Sequence, residues 1–195
     1  MKSKLLFILL LIVYIVVPVL IAVISKLYDF KFYILTILGI LIYLLMRLSK
    51  VKKEDLGINN NVFNSVKRNI PLILFFALFI IIFRLIGLNK YAPSEPLYFY
   101  LFYIFISCPI QEFLYRGIFG YFEKSLINNK YIMTIVSSLL YSFVHIIYKD
   151  IFTCLLTFVI GIIWYNLYRK DYNLFGVSLS HIVLGILTIS LGVIN

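Results

Sequence analysis

Long apolar runs separated by short polar segments dominate this chain of 195 residues. A helix needs about 20 mostly apolar residues to cross the hydrocarbon core of a membrane. Seven runs approach that length, namely 5–25, 32–46, 70–88, 97–120, 131–148, 151–168 and 174–194. They lack the polar–apolar alternation of a transmembrane strand, and a helix satisfies its own backbone hydrogen bonds in lipid. The pattern therefore predicts an all-α, polytopic transmembrane bundle of about seven spans.

The composition excludes a single soluble domain. Hydrophobic residues make up 63% of the chain and charged residues 13%, whereas a typical soluble domain is about 45–50% apolar and about 25% charged. A chain of this size cannot bury so many apolar side chains in one core, because small domains leave much of their surface in water. We therefore expect the lipid bilayer to be a principal partner.

The basic residues predict the orientation of the spans. With a cytoplasmic N-terminus, twelve of the 18 basic residues fall inside, namely Lys2, Lys4, Arg47, Lys50, Lys52, Lys53, Lys67, Arg68, Lys124, Lys130, Arg169 and Lys170. Four fall outside, namely Lys26, Lys31, Lys90 and Lys149, and Arg84 and Arg116 lie within spans. Cytoplasmic loops are enriched in Lys and Arg, so this distribution accounts for the net charge of +10 without a nucleic-acid partner.

We accordingly expect a multi-pass protein of the cell membrane with its N-terminus in the cytoplasm. The Lys-, Ile-, Asn- and Tyr-rich residue usage indicates a bacterial plasma membrane. The longest polar stretch, from Arg47 to Asn69, divides the chain into two parts. Residues 1–69 comprise two transmembrane helices and a basic cytoplasmic loop, and residues 70–195 comprise a bundle of five helices.

Ionisable residues inside the spans are the candidates for chemistry. Each costs about 2.5–3.5 kcal/mol to insert, and such residues usually serve a function. The fourth span contains Gln111, Glu112 and Arg116, just after Pro109. Glu112 and Arg116 are four residues apart, so they share one helix face and can pair.

The two histidines of the chain also lie within predicted spans. His145 falls in the fifth span and His181 in the seventh. Each belongs to a polar stripe at helical spacing, Ser138, Tyr141, His145 and Tyr148 in one helix and Ser178, His181, Gly185 and Thr188 in the other. Such stripes face the interior of a bundle or a wet cavity rather than lipid.

These residues alone leave several functions open. A carboxylate and an imidazole can activate a water molecule, and a second imidazole can stabilise an oxyanion. Two histidines and a glutamate are also the ligands of a catalytic zinc site. The remaining alternatives are hydrogen bonding between helices and a pathway for protons or ions.

The same residues resemble the CPBP family of intramembrane proteases. This family includes the type II CAAX prenyl proteases and the Abi group of bacteriocin self-immunity proteins. Its motifs are E-E-x-x-x-R on one span, an aromatic residue with x-x-x-H on the next, and H-x-x-x-N or D two spans later. Here they read Gln111-Glu112-x-x-x-Arg116, Tyr141-x-x-x-His145 and His181-x-x-x-Gly185.

The resemblance implies a CPBP-like bundle over residues 70–195 and an intramembrane endopeptidase. Its substrate would be a peptide or membrane protein, cut in or near the membrane. A motif glutamate and His145 would activate water, His181 and residue 185 would form the oxyanion site, and Arg116 would hold the acidic pair. Family members have been discussed both as metalloproteases and as metal-independent enzymes. The cofactor is therefore either none or a single Zn²⁺ on Glu112, His145 and His181.

Two positions depart from the family pattern. Gln111 replaces the first acid, and an amide cannot take a proton from water, so Glu112 would have to act as the base. Gly185 replaces an oxyanion donor, whose loss can cost about 10²–10³ in rate, and Ser178 is the candidate for oxyanion support. The alternative is a catalytically impaired membrane protein acting in bacteriocin self-immunity or partner binding.

A shared site also requires the three helices to bring these residues to one depth. At about 1.5 Å per residue, His181 lies about 12 Å from the predicted cytoplasmic end of its span, whereas Glu112 and His145 lie about 20 and 22 Å from theirs. The fold must close this gap of about 10 Å.

Overall fold

The computed structural model describes residues 2–88, 92 and 95–193, and within this part every regular element is helical. The predicted site residues all lie in it, whereas Lys90 and residue 194 of the last predicted span lie outside. The helices are α1 (Lys2–Val23), α2 (Ser25–Asp29), α3 (Lys31–Leu48), α4 (Val62–Leu85), α5 (Leu97–Ile127), α6 (Lys130–Phe143), α7 (Ile151–Asp171) and α8 (Leu174–Ser190). A 3₁₀ segment, Val144–Tyr148, continues α6.

Six of these helices are long and apolar enough to cross a membrane, namely α1, α3, α4, α5, α7 and α6 with its extension. The seventh predicted span corresponds to α8, which has 17 residues and is shorter than the others. The prediction of an all-α polytopic bundle is confirmed, and the chain is a multi-pass membrane protein. The helix α4 begins at Val62 and α5 ends at Ile127, beyond the apolar runs, because hydropathy marks the apolar part of a helix rather than its hydrogen-bonded length.

The N-terminal helices share one hydrophobic core with the rest of the bundle. The Phe7 ring of α1 lies 4.8 Å from the Phe122 ring of α5, between centroids. Farther along α1, the Tyr14 hydroxyl donates a hydrogen bond to the Leu114 carbonyl at 2.9 Å. The first span is thereby fixed against the helix that carries the Gln111-Glu112 motif.

The helix α5 alternates between α-helical and wider π-helical turns. The π segments are Tyr103–Ser107, Phe113–Gly117 and Glu123–Ile127. Pro109 removes one backbone N–H from this helix, which accounts for the wide turn on its N-terminal side. Because π turns contain more residues than the 3.6 of an α-helical turn, side chains four residues apart remain on one face of α5.

The start of α8 lies inside the bundle, and this closes the depth gap. A Cβ built on Gly117 would lie 3.5 Å from the Leu174 side chain, so the first residue of α8 is level with Gly117. From there α5 continues to Ile127, about 15 Å further at about 1.5 Å per residue. His181 is therefore deeper in the bundle than its distance from the start of α8 indicates.

The loop of residues 49–61 covers the buried start of α8. Leu56 is fully buried, and the Gly57 carbonyl accepts a hydrogen bond from the Leu174 amide at 2.9 Å. Asn173 caps α8 through the Phe175 amide at 2.9 Å and donates to the Asn59 carbonyl at 2.8 Å. These contacts satisfy backbone groups at the start of α8 that water cannot reach.

The contact between α4 and α8 leaves no room for a side chain at Gly176. A Cβ built there would overlap the backbone of Ser65. We expect Gly176→Ala to separate the two helices and to lower the free energy of unfolding by about 1–3 kcal/mol, as overpacking does. Thermal unfolding of the purified protein in detergent measures the effect.

Gly161→Ala is the matched control, because its new methyl group would lie at least 3.2 Å from its nearest neighbours. It should change the melting temperature less than Gly176→Ala does. Equal melting temperatures for the two variants would contradict the close approach of α4 and α8.

Candidate functional site

Glu112, Arg116 and His181 form a buried ionic cluster between α5 and α8. His181 Nδ1 lies 2.7 Å from Glu112 Oε1, and Arg116 Nε lies 3.1 Å from Glu112 Oε2. The side chains of Glu112 and Arg116 are 0% exposed. A carboxylate is a hydrogen-bond acceptor only, so Nδ1 carries the hydrogen and donates to Glu112.

Aromatic rings enclose the charged groups of this cluster. The Arg116 guanidinium carbon lies 4.3 Å from the Tyr141 ring centroid and 5.4 Å from that of Trp164. The Trp164 ring stacks on His181 at 4.7 Å, and the Tyr141 hydroxyl lies 3.2 Å from His181 Nε2. Since Nδ1 is the donor nitrogen, the neutral ring accepts the Tyr141 O–H at Nε2. The ring contacts and the ion pair offset part of the cost of burying the guanidinium.

His145 lies on the other side of Tyr141, with its ring centroid 5.1 Å from that of the tyrosine. Its Nδ1 donates to the Tyr141 carbonyl at 2.8 Å. A carbonyl only accepts, so this bond fixes the hydrogen on Nδ1. In the neutral ring, Nε2 therefore carries an unprotonated lone pair. Among the described residues, no group donates a hydrogen bond to Nε2 of His145.

Both histidines line one cavity of about 210 Å³. Helices α1 and α3 supply an apolar wall, and α5, α8 and the end of α6 supply polar groups. The polar lining residues nearest the motifs are Tyr103, Ser107, Gln111, Tyr115, His145, Tyr148 and His181. The cavity is small, mostly apolar and equipped with a few converging polar groups, as binding sites are.

The two adjacent motif residues have different surroundings. Gln111 lines the cavity and donates from Nε2 to Ser107 Oγ at 2.9 Å. Glu112 is buried in the ionic cluster and is not among the described lining residues. The position that lines the cavity, Gln111, therefore carries an amide. The carboxylate of the next residue, Glu112, instead accepts the hydrogen bond from His181.

The structure also places the residues considered for oxyanion support. Ser178 is buried on α8 but is not among the described lining residues of the cavity. At Gly185, a built Cβ would overlap the Tyr103 hydroxyl oxygen and lie 2.6 Å from Tyr103 Cζ. The Tyr103 phenol thus fills the space that a side chain at position 185 would occupy. Its ring lies edge-on to His181, with 5.9 Å between centroids.

Sequence reasoning missed Tyr103 and Ser107 as cavity residues. Together with Gln111 and Tyr115 they recur at every fourth position of α5. This spacing marks one face only because π turns alternate with α turns along the helix. The four-residue recurrence of polar side chains was the signal that could have found them.

The predicted zinc ligands do not converge on one point. Among the described residues, there is no group of three His, Cys, Asp or Glu placed to hold a metal ion. His181 Nε2 lies 3.2 Å from the Tyr141 hydroxyl, and the Arg116 cation lies beside Glu112. This donor set does not fit a zinc ion.

The motif residues lie within a segment that matches a known family. Residues 93–187, about half of the chain, match the model of the family described as type II CAAX prenyl endopeptidase Rce1-like. Comparison with curated proteins and with solved structures gives no match. The match includes Gln111, Glu112, His145 and His181. Over residues 93–187, this chain therefore belongs to the Rce1-like family of type II CAAX prenyl endopeptidases.

Proposed function

We propose that the chain is an intramembrane endopeptidase of the CAAX-protease type in which His145 activates the attacking water. The observation that carries this proposal is the fixed tautomer of His145. Its Nδ1–H is held by the Tyr141 carbonyl at 2.8 Å, on a side chain that lines the cavity. An unprotonated imidazole nitrogen in a cavity is the arrangement that a general base requires.

Gln111 orients the water in this mechanism. Its Nε2 is committed to Ser107, so its Oε1 remains as an acceptor for one O–H of the water. His145 Nε2 takes the other proton while the water oxygen attacks the carbonyl carbon of the scissile peptide bond. The tetrahedral intermediate collapses when the leaving amine receives that proton from the His145 imidazolium, and the C–N bond breaks.

Tyr103 replaces the missing donor at position 185. Its hydroxyl occupies the space beside Gly185, and Tyr103 is among the residues that line the cavity. We assign it to the carbonyl oxygen, which gains negative charge in the transition state and is stabilised by a donor fixed in advance. Gly185 leaves the room that the Tyr103 phenol occupies, and in this scheme the phenol takes over the role of the missing donor.

Glu112 and Arg116 are positioning residues in this scheme. Both carboxylate oxygens of Glu112 have a basic neighbour, His181 on one side and Arg116 on the other. The carboxylate is thus engaged at both oxygens and is not among the described residues that line the cavity, so in this scheme it does not contact the attacking water. Glu112 holds the His181 ring in place through Nδ1, and His181 packs against Tyr103 and Tyr141.

A second candidate function is partner binding without catalysis, as in a self-immunity protein. Gln111 favours it, because an amide occupies the cavity position at which the family carries an acid. Among the described lining residues, Glu95 is the one carboxylate, and it precedes α5 rather than lying beside the histidines. The two functions predict different results for a variant that lacks His145. A protease would lose its activity, whereas a protein that only binds a partner would keep its function.

We expect His145→Ala to lower peptide cleavage by about 10²–10⁴-fold, the usual contribution of a general base. The assay incubates the purified protein in lipid vesicles with peptides extracted from the host membrane, and mass spectrometry detects new termini. Asn166→Ala is the control, because this exposed side chain bonds only to its own helix within the described residues. Wild-type cleavage by His145→Ala would remove His145 from the mechanism, and no cleavage by any variant would favour partner binding.

We expect Tyr103→Phe to lower kcat by about 10–10³-fold and to leave KM nearly unchanged, because the lost hydroxyl acts in the transition state. Tyr98→Phe is the matched control on the same helix, since Tyr98 is 75% exposed. Kinetics on a peptide found in the first assay measure both values. Equal kcat for the two variants would exclude Tyr103 as the oxyanion donor.

We expect Gln111→Glu to raise the cleavage rate, because a carboxylate in the cavity can accept a proton that an amide cannot. Gln111→Ala should lower the rate by removing the group that orients the water. Both variants are compared with the wild type in the vesicle assay. A rate unaffected by both changes would show that Gln111 does not contact the water.

A further inference from the structure

Among the described residues, the lining of the cavity extends to one end of the bundle. The described lining residues outside the long helices, or at their ends, are Tyr28, Lys31, Ala92, Glu95 and Tyr148. They belong to the connection between α1 and α3, the segment before α5, and the end of the α6 extension. All of these connections lie at the end of the bundle that α1 reaches at Val23. We call this the mouth end.

The opposite end is closed. The 49–61 loop packs its buried Leu56 beneath Gly117, where an added Cβ would lie 2.6 Å from the Leu56 carbonyl oxygen. Arg68 and Asp171 form an ion pair at 2.8 Å that ties α4 to the end of α7. The Asn59 side chain also donates to the Tyr172 carbonyl at 2.7 Å. A peptide could enter from this end only after these contacts broke.

A second closed layer surrounds Glu123 near the end of α5. Its carboxylate accepts hydrogen bonds from Arg169 at 2.7 Å, Tyr165 at 2.9 Å and Tyr172 at 3.1 Å. Burial, with the nearby Glu123 charge, raises the pKa of Tyr172, so this phenol stays protonated and continues to donate. The network joins α5 to α7 below the histidines.

The basic residues distinguish the two ends. The closed end carries those of the 47–68 region, of the α5–α6 turn and of the end of α7, together with Lys2 and Lys4, twelve in all. The described residues at the mouth end include four basic ones, namely Lys26, Lys31, Arg84 in the last turn of α4, and Lys149. Because cytoplasmic segments are enriched in Lys and Arg, the closed end is the cytoplasmic one.

We propose that the mouth faces the extracytoplasmic side and that the site receives apolar peptide segments from that side. This inference rests on the proposed function for the identity of the ligand as a substrate. The apolar wall of the cavity supports an apolar segment, since Val13, Val17 and Leu35 line it opposite the polar groups. The candidate substrates are thus extracytoplasmic peptides or the outer ends of membrane segments, rather than cytosolic chain termini.

The depth of the site sets the length of segment required. Gln111 lies fourteen residues after Leu97, the first residue of α5, or about 20 Å along the helix at about 1.5 Å per residue. An extended peptide spans about 3.3–3.6 Å per residue, so about six residues reach from the mouth to Gln111. At the mouth, Lys31 Nζ lies 3.7 Å from the Tyr28 ring centroid and 5.5 Å from that of Tyr148. A peptide segment that enters the cavity passes the Lys31 ammonium group, which lies against these two rings.

Cysteine labelling in intact cells tests the direction of access. The background replaces Cys108 and Cys154 with Ala, and single cysteines are then introduced as Ala92→Cys at the mouth or Asn60→Cys in the 49–61 loop. Both positions are exposed, and both changes leave the charge of the chain unaltered. We expect a membrane-impermeant maleimide to label Ala92→Cys in intact cells and to label Asn60→Cys only after the membrane is permeabilised.

The reverse labelling pattern, or labelling of both positions in intact cells, would overturn the proposal. Glu95→Cys provides a second mouth position if Ala92→Cys does not accumulate in the membrane. The labelling result does not depend on catalysis, so failure of the proposed function in the cleavage assay is distinguishable from failure of this inference. The protein without Cys108 and Cys154 is also tested for peptide cleavage in vesicles. Where it cleaves, labelling the cysteine of the Ala92→Cys variant should lower cleavage at least tenfold. Undiminished cleavage by the labelled protein would exclude the mouth as the route of entry.

Discussion

The buried Glu112 carboxylate is the constraint around which the bundle is organised. An ionised carboxylate in a water-excluded interior is costly unless charged partners and hydrogen bonds compensate it. Arg116 supplies the opposite charge from the next turn of α5, and His181 supplies a hydrogen bond from α8 at 2.7 Å. Removing one partner of such a pair costs about 3–5 kcal/mol. The carboxylate thereby fixes how α8 packs against α5.

The same cluster determines where the cavity histidines lie. Arg116 packs on the Tyr141 ring at 4.3 Å, which brings α6 to the cluster, and the Tyr141 carbonyl in turn holds His145 at 2.8 Å. Trp164 adds α7 by stacking on His181 at 4.7 Å. One buried charge thus connects four helices, and each histidine has its Nδ1 hydrogen fixed by an acceptor. The division between a supporting cluster and a cavity follows from this arrangement.

The structure gives a physical reason for the two departures of this chain from the motifs of its family. The change to Gln111 falls on the side that faces the cavity, whereas Glu112 and Arg116, which support the packing, retain the family residues. The change to Gly185 makes room for the Tyr103 phenol. The supporting cluster is therefore intact, and the two departures lie beside Ser107 and Tyr103, which line the cavity.

The sequence alone determined the class of fold and singled out the ionisable residues of the candidate site. Its apolar runs identified seven of the eight described helices, all but the short α2, because helices in lipid must be long, apolar and internally hydrogen-bonded. Ionisable residues are so costly within spans that Glu112, Arg116, His145 and His181 were recognisable individually. Tertiary structure alone decided that Gln111 faces the cavity and Glu112 does not, because neighbouring residues on a helix point in different directions and only packing selects one of them. The burial of α8 beneath the 49–61 loop and the pairing of Tyr103 with Gly185 depend likewise on contacts between segments far apart in the chain, which no local pattern of residues encodes.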